Sequence, residues 1–153
     1  MFRISTTMLL SMIMAPAAAP LMAGGMYLTL ARPEASPDPA AKGAVMLVRA
    51  DGCQDPAKVE ISAVAEGLVD GRRATVPLKL TRLANGQTHA VAPGWPAGGA
   101  WVVRLTGKLG ATSVYTLVAM GPDGMDRASA KSKYGSASEA EIIGMLKSLS
   151  RTS

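Results

Sequence analysis

Few side chains in this 153-residue chain are equipped for chemistry, and they are scattered. There is one histidine, His89, and one cysteine, Cys53. Any nucleophile–imidazole–carboxylate relay, proton shuttle or imidazole-bound metal would have to be built around His89. His89 lies between Thr88 and Ala90 in a short extended run, with no nucleophile and orienting carboxylate nearby in sequence. We expect it at the surface or at a sheet edge. One imidazole and one thiol are too few soft ligands for a zinc or copper centre. Asp51, Asp55 and Glu60 surround Cys53, but Asp51-Gly52-Cys53-Gln54-Asp55-Pro56 lacks the alternating acidic positions of a calcium loop. Asp-Gly and Asp-Pro there read as turn chemistry. The expectation is therefore no catalytic residue, no metal and no cofactor.

The largest side chains gather in one stretch. Gly94-Trp95-Pro96-Ala97-Gly98-Gly99-Ala100-Trp101 holds both tryptophans. Trp101, Val103 and Leu105 alternate with Val102, Arg104 and Thr106, as in a strand with one face in a core. Trp95 precedes that strand in a Pro/Gly turn. It is the one candidate binding residue, as a platform for a carbohydrate or a peptide, set against the competing reading that it is core. The glycines around it lack the Lys-Ser/Thr ending of a phosphate loop and open no helix. The net charge of +5 is spread along the chain rather than gathered in a stripe, so no nucleic-acid partner is expected. Lys58, Arg72, Arg73, Lys79 and Arg104 fall on outward positions and read as a solvated surface.

Elements that would position these residues follow from periodicity and turn residues. Ala44 to Val48 is a continuous apolar run, as in a buried strand, and Arg49 to Pro56 is read as the turn after it. Lys58 to Ala65 alternates, with Val59, Ile61, Ala63 and Ala65 inward. Asp70-Gly71 marks a hairpin. Arg73 to Leu83 returns with Ala74, Val76, Leu78 and Leu80 on one face. Pro77 places it at a sheet edge, since proline has no donor for the ladder. Asn85-Gly86 is a second turn, Gln87 to Ala92 a short strand, Gly107 to Gly110 a third hairpin and Ser113 to Met120 a last strand. Six to seven strands spaced by Gly/Pro turns argue a mainly β, immunoglobulin-like antiparallel β-sandwich over residues 44–121. Gly121-Pro122-Asp123-Gly124 is expected to stop the sheet and residues 122–137 to link to a short helix over 138–150. That helix opens on a Ser138/Glu141 capping box and has an apolar stripe of Ile142, Ile143, Leu146 and Leu149.

The N-terminal region reads as targeting. A basic start at Arg3, an apolar run from Met8 to Met22 and the small residues Ala23-Gly24-Gly25 make residues 1–25 a signal peptide. The alternative is a retained anchor to about residue 30, since Met8 to Leu30 carries no charge and a span takes roughly 20 residues. Residues 26–43, with Pro33, Pro37 and Pro39, read as a flexible linker, Met26 to Leu30 being either the tail of the signal region or a short first strand. A lone Cys53 allows no internal disulfide, so the core must hold the fold. Cys53 is then buried, free or paired between chains.

Gly99-Ala100-Trp101-Val102-Val103-Arg104-Leu105-Thr106-Gly107 resembles the penultimate strand of small exported bacterial β-sandwich domains, among them immunoglobulin-like, transthyretin-like and YtkA-like modules. The resemblance covers about Ala44 to Met120 and implies the sandwich. The copper-handling relatives carry His/Met ligands that this chain lacks, so their activity is not implied. The functional expectation is a secreted or periplasmic, non-catalytic binding module, with a sheet edge or the loop around Trp95 as its contact surface. Its partner would be an unknown protein or a component of the envelope, and the membrane itself only if the N-terminal segment is retained. Two alternatives stand beside it: a membrane-tethered accessory subunit if the N-terminal run is retained, and a small periplasmic hydrolase using His89.

Overall fold

The alternating runs become strands in a computed structural model that describes residues 25–152. In chain order they are β1 (Tyr27–Ala31), β2 (Met46–Asp51), β3 (Glu60–Val69), β4 (Arg72–Pro77), β5 (Leu80–Arg82), β6 (Thr88–Val91), β7 (Ala100–Leu109), β8 (Thr112–Gly121) and β9 (Gly124–Tyr134), followed by helix α1 (Glu139–Ser150). They form two antiparallel sheets, β1-β2-β6-β5 and β4-β3-β7-β8-β9. In immunoglobulin lettering the first is A-B-E-D. The second is C-F-G with β4 in the C′ place and β9 added outside G. The fold is thus a sandwich of two antiparallel sheets with a C-terminal helix. It has nine strands because β9 is added and the 73–83 run divides between the two sheets.

The inward residues of both sheets make the main core. Leu28, Leu30, Met46, Val48 and Val91 come from the first sheet and Ala63, Ala65, Trp101, Val103, Leu105, Val114 and Val118 from the second. The other side of the second sheet is not open to water. Val102, Tyr115 and Leu117 lie beneath Ile142 and Leu146 of α1 in a second apolar cluster. Val102 therefore sits in a buried layer rather than on the outward face that alternation assigns it.

Three segments depart from expectation. Residues 26–43 are not a free linker: Met26, Leu28 and Leu30 are core, and β1 pairs with β2 from Tyr27↔Asp51 to Ala31↔Leu47. The prolines of residues 33–41 set two 3-10 turns. Ala41 is buried against Leu47, Leu83 and Ala90, and Asp38 accepts a 2.7 Å hydrogen bond from the Ala84 amide. Residues 122–137 are not a linker either, since Gly121–Gly124 closes a hairpin and β9 pairs with β8 down to Val114↔Tyr134. Finally, β2 runs on through Asp51, so the turn begins at Gly52. Pro77 does lie in an edge strand, β4.

Helix α1 is fastened by two polar clusters. At its start Ser138 and Glu141 complete the capping box. Glu141 also accepts from the Tyr115 hydroxyl at 2.8 Å and from the Lys133 ammonium. Lys133, the Ser138 amide and Tyr115 together hold the Glu141 carboxyl at about 2, down from 4.5. The second cluster centres on Glu66 of β3, which is only 3% exposed. It takes two bonds from Arg104, at 2.8 and 3.0 Å, one from Thr75 at 3.0 Å and one from Arg73 at 3.3 Å. Arg73 in turn reaches Glu139 of α1 at 2.9 Å. Arg73 and Arg104 are thus structural cations, not solvated surface. Burial alone would raise the Glu66 carboxyl, but the hydrogen bonds of Arg104, Thr75 and Arg73 bring it below its ordinary value.

Removing one partner of a buried ion pair strands the others, a loss of about 3 kcal/mol or more. Glu66→Ala is expected to lower stability by that order in urea unfolding, and Glu139→Ala, at the exposed end of the chain of charges, by far less. Glu141 has a lowered carboxyl, so its contribution is present above pH 4.5 and lost as pH falls toward about 2. Thermal melts of Glu141→Gln across that window should show a flatter acid limb than the parent protein.

Candidate functional site

Trp95 is positioned by the loop between β6 and β7. Gly98 and Gly99 take left-handed backbone angles, φ +86° and +76°. A Cβ on Gly99 would stand 2.8 Å from the Leu68 carbonyl, so only glycine lets the loop pass this close to the end of β3. The Gly98 carbonyl accepts from Trp101 Nε1 at 2.8 Å. That bond fixes the loop over the Trp101 ring, and Trp95 packs on it with centroids 6.2 Å apart and planes tilted by 30°. Trp95 is consequently half-buried, one side on the core and the other facing a cleft.

The cleft has a volume of about 610 Å³ at one end of the sandwich. Val45, Trp95, Pro96, Met120, Pro122 and Leu149 supply its apolar wall, with Gly98, Gly99, Gly121 and Gly124 bringing backbone close. Among the described residues no ionisable side chain lines it. Three side-chain donors lie on it: Trp101 Nε1 bonds the Gly98 carbonyl and Thr152 Oγ1 the Ser148 carbonyl at 3.0 Å, while the third is the indole N–H of Trp95. The cleft offers apolar contact and backbone amides.

His89 is elsewhere, half-buried on a central strand rather than at a sheet edge. It lies on β6 between β2 and β5, opposite Val48 and Arg82. Its Nδ1 is buried without a hydrogen-bond partner, and burial followed by the Arg82 charge pushes its pKa below 6.5. No carboxylate holds the ring, so the geometry of a relay is not assembled at Nδ1. Cys53 is half-buried against the main core. The acidic residues near it are held in pairs: Asp51 with Thr29 and Arg49, Asp55 with Lys58. Among the described residues no three His, Cys, Asp or Glu side chains group as a metal site.

A second concavity, of about 420 Å³, runs between β9 and α1, lined by Tyr115, Leu117, Lys131, Lys133, Glu141 and Met145 among others. Sequence reasoning missed it because its wall is β9, whose one buried residue is Met125. Its carboxylate is already committed to the helix cap, Tyr115 and Lys133. Compared with known protein families, curated proteins and solved structures, the chain finds no match in any of the three.

Two measurements probe this description. The lowered His89 pKa means the unfolded chain takes up a proton that the folded one resists. Stability is therefore full above pH 6.5 and declines as pH drops below it. His89→Gln should remove that decline in melts between pH 7 and pH 5, a range set by the ordinary histidine pKa of about 6.5. Separately, the Trp101 ring fills the space a Cβ on Gly67 would need. Gly67→Ala should cost about 1–3 kcal/mol by overpacking and alter the near-ultraviolet circular dichroism of the tryptophan pair.

Proposed function

We propose that this protein is an exported, non-catalytic interaction module that receives an extended, uncharged peptide segment of an envelope partner in the Trp95 cleft. The observation that carries the reading is the cleft's chemistry. A half-buried tryptophan, two prolines and a methionine face it, and among the described residues no charged side chain lines it. Small-ligand and sugar sites fix orientation with a few convergent polar groups. Here the Trp101 and Thr152 donors are spent on the fold, which leaves the indole N–H of Trp95 as a single side-chain donor rather than a convergent set. Aromatic-walled grooves with exposed backbone suit proline-containing or apolar extended segments, whose own amides and carbonyls complete the contact. The resemblance of the Gly99–Gly107 strand to exported sandwich domains supports the compartment and adds nothing on the ligand.

Trp95→Ala separates this reading from a purely structural role. Trp95 packs on the margin of the core, so the variant should stay folded with a loss of about 1 kcal/mol, whereas Trp101→Ala should lose about 3–5 kcal/mol. With a displayed library of uncharged extended peptides as probe, binders of the parent protein should lose at least about tenfold in affinity on Trp95→Ala. Selected peptides that bind the variant as tightly, or no enrichment at all, would sink the proposal.

A further inference from the structure

Independently of what fills the cleft, we infer that the opposite end of the sandwich is a membrane-contact surface on which the domain stands, Tyr27 and Tyr134 lying at the lipid headgroups. Among the described residues these are the large hydrophobic side chains that stay exposed, at 50% and 62%. They sit far apart in sequence yet meet at one place. The Tyr134 ring covers Gly25, filling the space a Cβ would occupy there. The Tyr27 ring lies 2.9 Å from the corresponding position on Gly52, and the Gly25 carbonyl 2.5 Å from it. Two tyrosines and two glycines thus make a continuous patch around the point where the described chain begins.

What precedes that point is chemically distinctive. From Ile4 to Gly25 the chain holds 22 residues without a charge, and a bilayer span takes roughly 20. The anchor reading to about residue 30 is corrected in one respect: Met26 to Ala31 belong to the sandwich, so an anchor ends by Gly25. Met22 precedes Gly25 by three residues, a reach of at most about 10 Å. Where that run is retained as an anchor rather than removed as a signal peptide, a domain held that close to the bilayer must place its tyrosine end against the headgroups. Tyrosine is the side chain favoured there, having an apolar body and a wet tip.

Charge points the same way. The carboxylates at this end have cationic neighbours: Asp51 with Arg49 at 2.9 Å, Asp55 with Lys58 at 2.7 Å, and Glu60 opposite Lys108 across β3 and β7. A balanced, aromatic surface suits a zwitterionic bilayer, where a basic one would require anionic lipid. The Trp95 cleft lies at the far end, beyond the ten residues of β7, roughly 30 Å away. The same tether that buries the tyrosines would present the cleft outward to a partner.

The test uses the full chain carrying Cys53→Ser, with a fluorophore on Ala111→Cys at the β7–β8 turn or on Ala97→Cys beside the cleft. Each is reconstituted in phosphatidylcholine vesicles with and without brominated phosphatidylcholine. Emission at position 111 should be quenched and emission at position 97 should not, and high salt should leave both unchanged. Adding Tyr27→Ser and Tyr134→Ser should relieve the quenching at 111, with a thermal melt confirming that the sandwich stays folded. No quenching at 111, equal quenching at both sites, quenching abolished by salt, or quenching indifferent to the tyrosine changes would each overturn the inference. Peptide binding at the cleft is scored separately and stands or falls without it.

Discussion

The seat of Trp101 on Gly67 is the contact on which the remaining structure depends. Alternation points a tryptophan on β7 into the inter-sheet core, and the ring fits there because its cross-strand neighbour on β3 has no side chain. Any other residue at 67 would displace the ring, since a Cβ there would stand 2.7 Å or less from its nearest atoms. The indole nitrogen then captures the Gly98 carbonyl, so the ring that fills the core also shapes the loop above it. Trp95 stacks on the result. Core packing and the candidate site are therefore one construction, and the cleft inherits the rigidity of the sheet beneath it.

The second sheet is covered on both faces, which makes demands the first sheet does not face. Under α1 the strands must bury Val102, Tyr115 and Leu117, yet the same layer contains the Glu66 carboxylate. A charge taken from water at that depth costs several kcal/mol unless its lone pairs are filled. Four hydrogen bonds fill them here, and Arg73 passes the connection to the helix. A shift of β4 or β7 would leave the buried Glu66 carboxylate short of a partner, whereas the Arg73–Glu139 link to α1 is exposed and adds less. Together with the Glu141 cluster these contacts hold a short helix, interrupted by Gly144, in one position.

The strand order is the immunoglobulin one, but the use of its ends differs from that of variable domains. There the binding loops are those between B and C and between F and G. Here the corresponding end carries the tyrosine patch and the start of the chain. The cleft lies at the other end, formed by the E–F loop, the tip of the β8–β9 hairpin and the last turn of α1. The added strand and the added helix both contribute to the cleft. Elaborations of the sandwich, more than its common frame, thus make the feature that distinguishes this protein.

Local chemistry was legible from the residues alone. Asp70-Gly71 forms a turn with both residues at positive φ, +49° and +74°, as hairpins of two-residue loops require. Ser138 and Glu141 form their capping box, and the alternations of β3, β7 and β8 face the core as their apolar residues dictate. Strand β9 was not legible, because a solvated edge strand needs no apolar alternation and its pairing with β8 is a property of the partner. Nor were the roles of Arg73 and Arg104, since an arginine on an outward position becomes structural only when Glu66 and a covering helix meet it there. Trp95 lay between these cases. Its sequence marked a large aromatic in a turn, and the fold decided that one side belongs to the core and the other to a cleft. Backbone preference and burial period act over a few residues and are written in them. Which faces become covered is decided by contacts tens of residues apart, and those exist only once the sheets have closed.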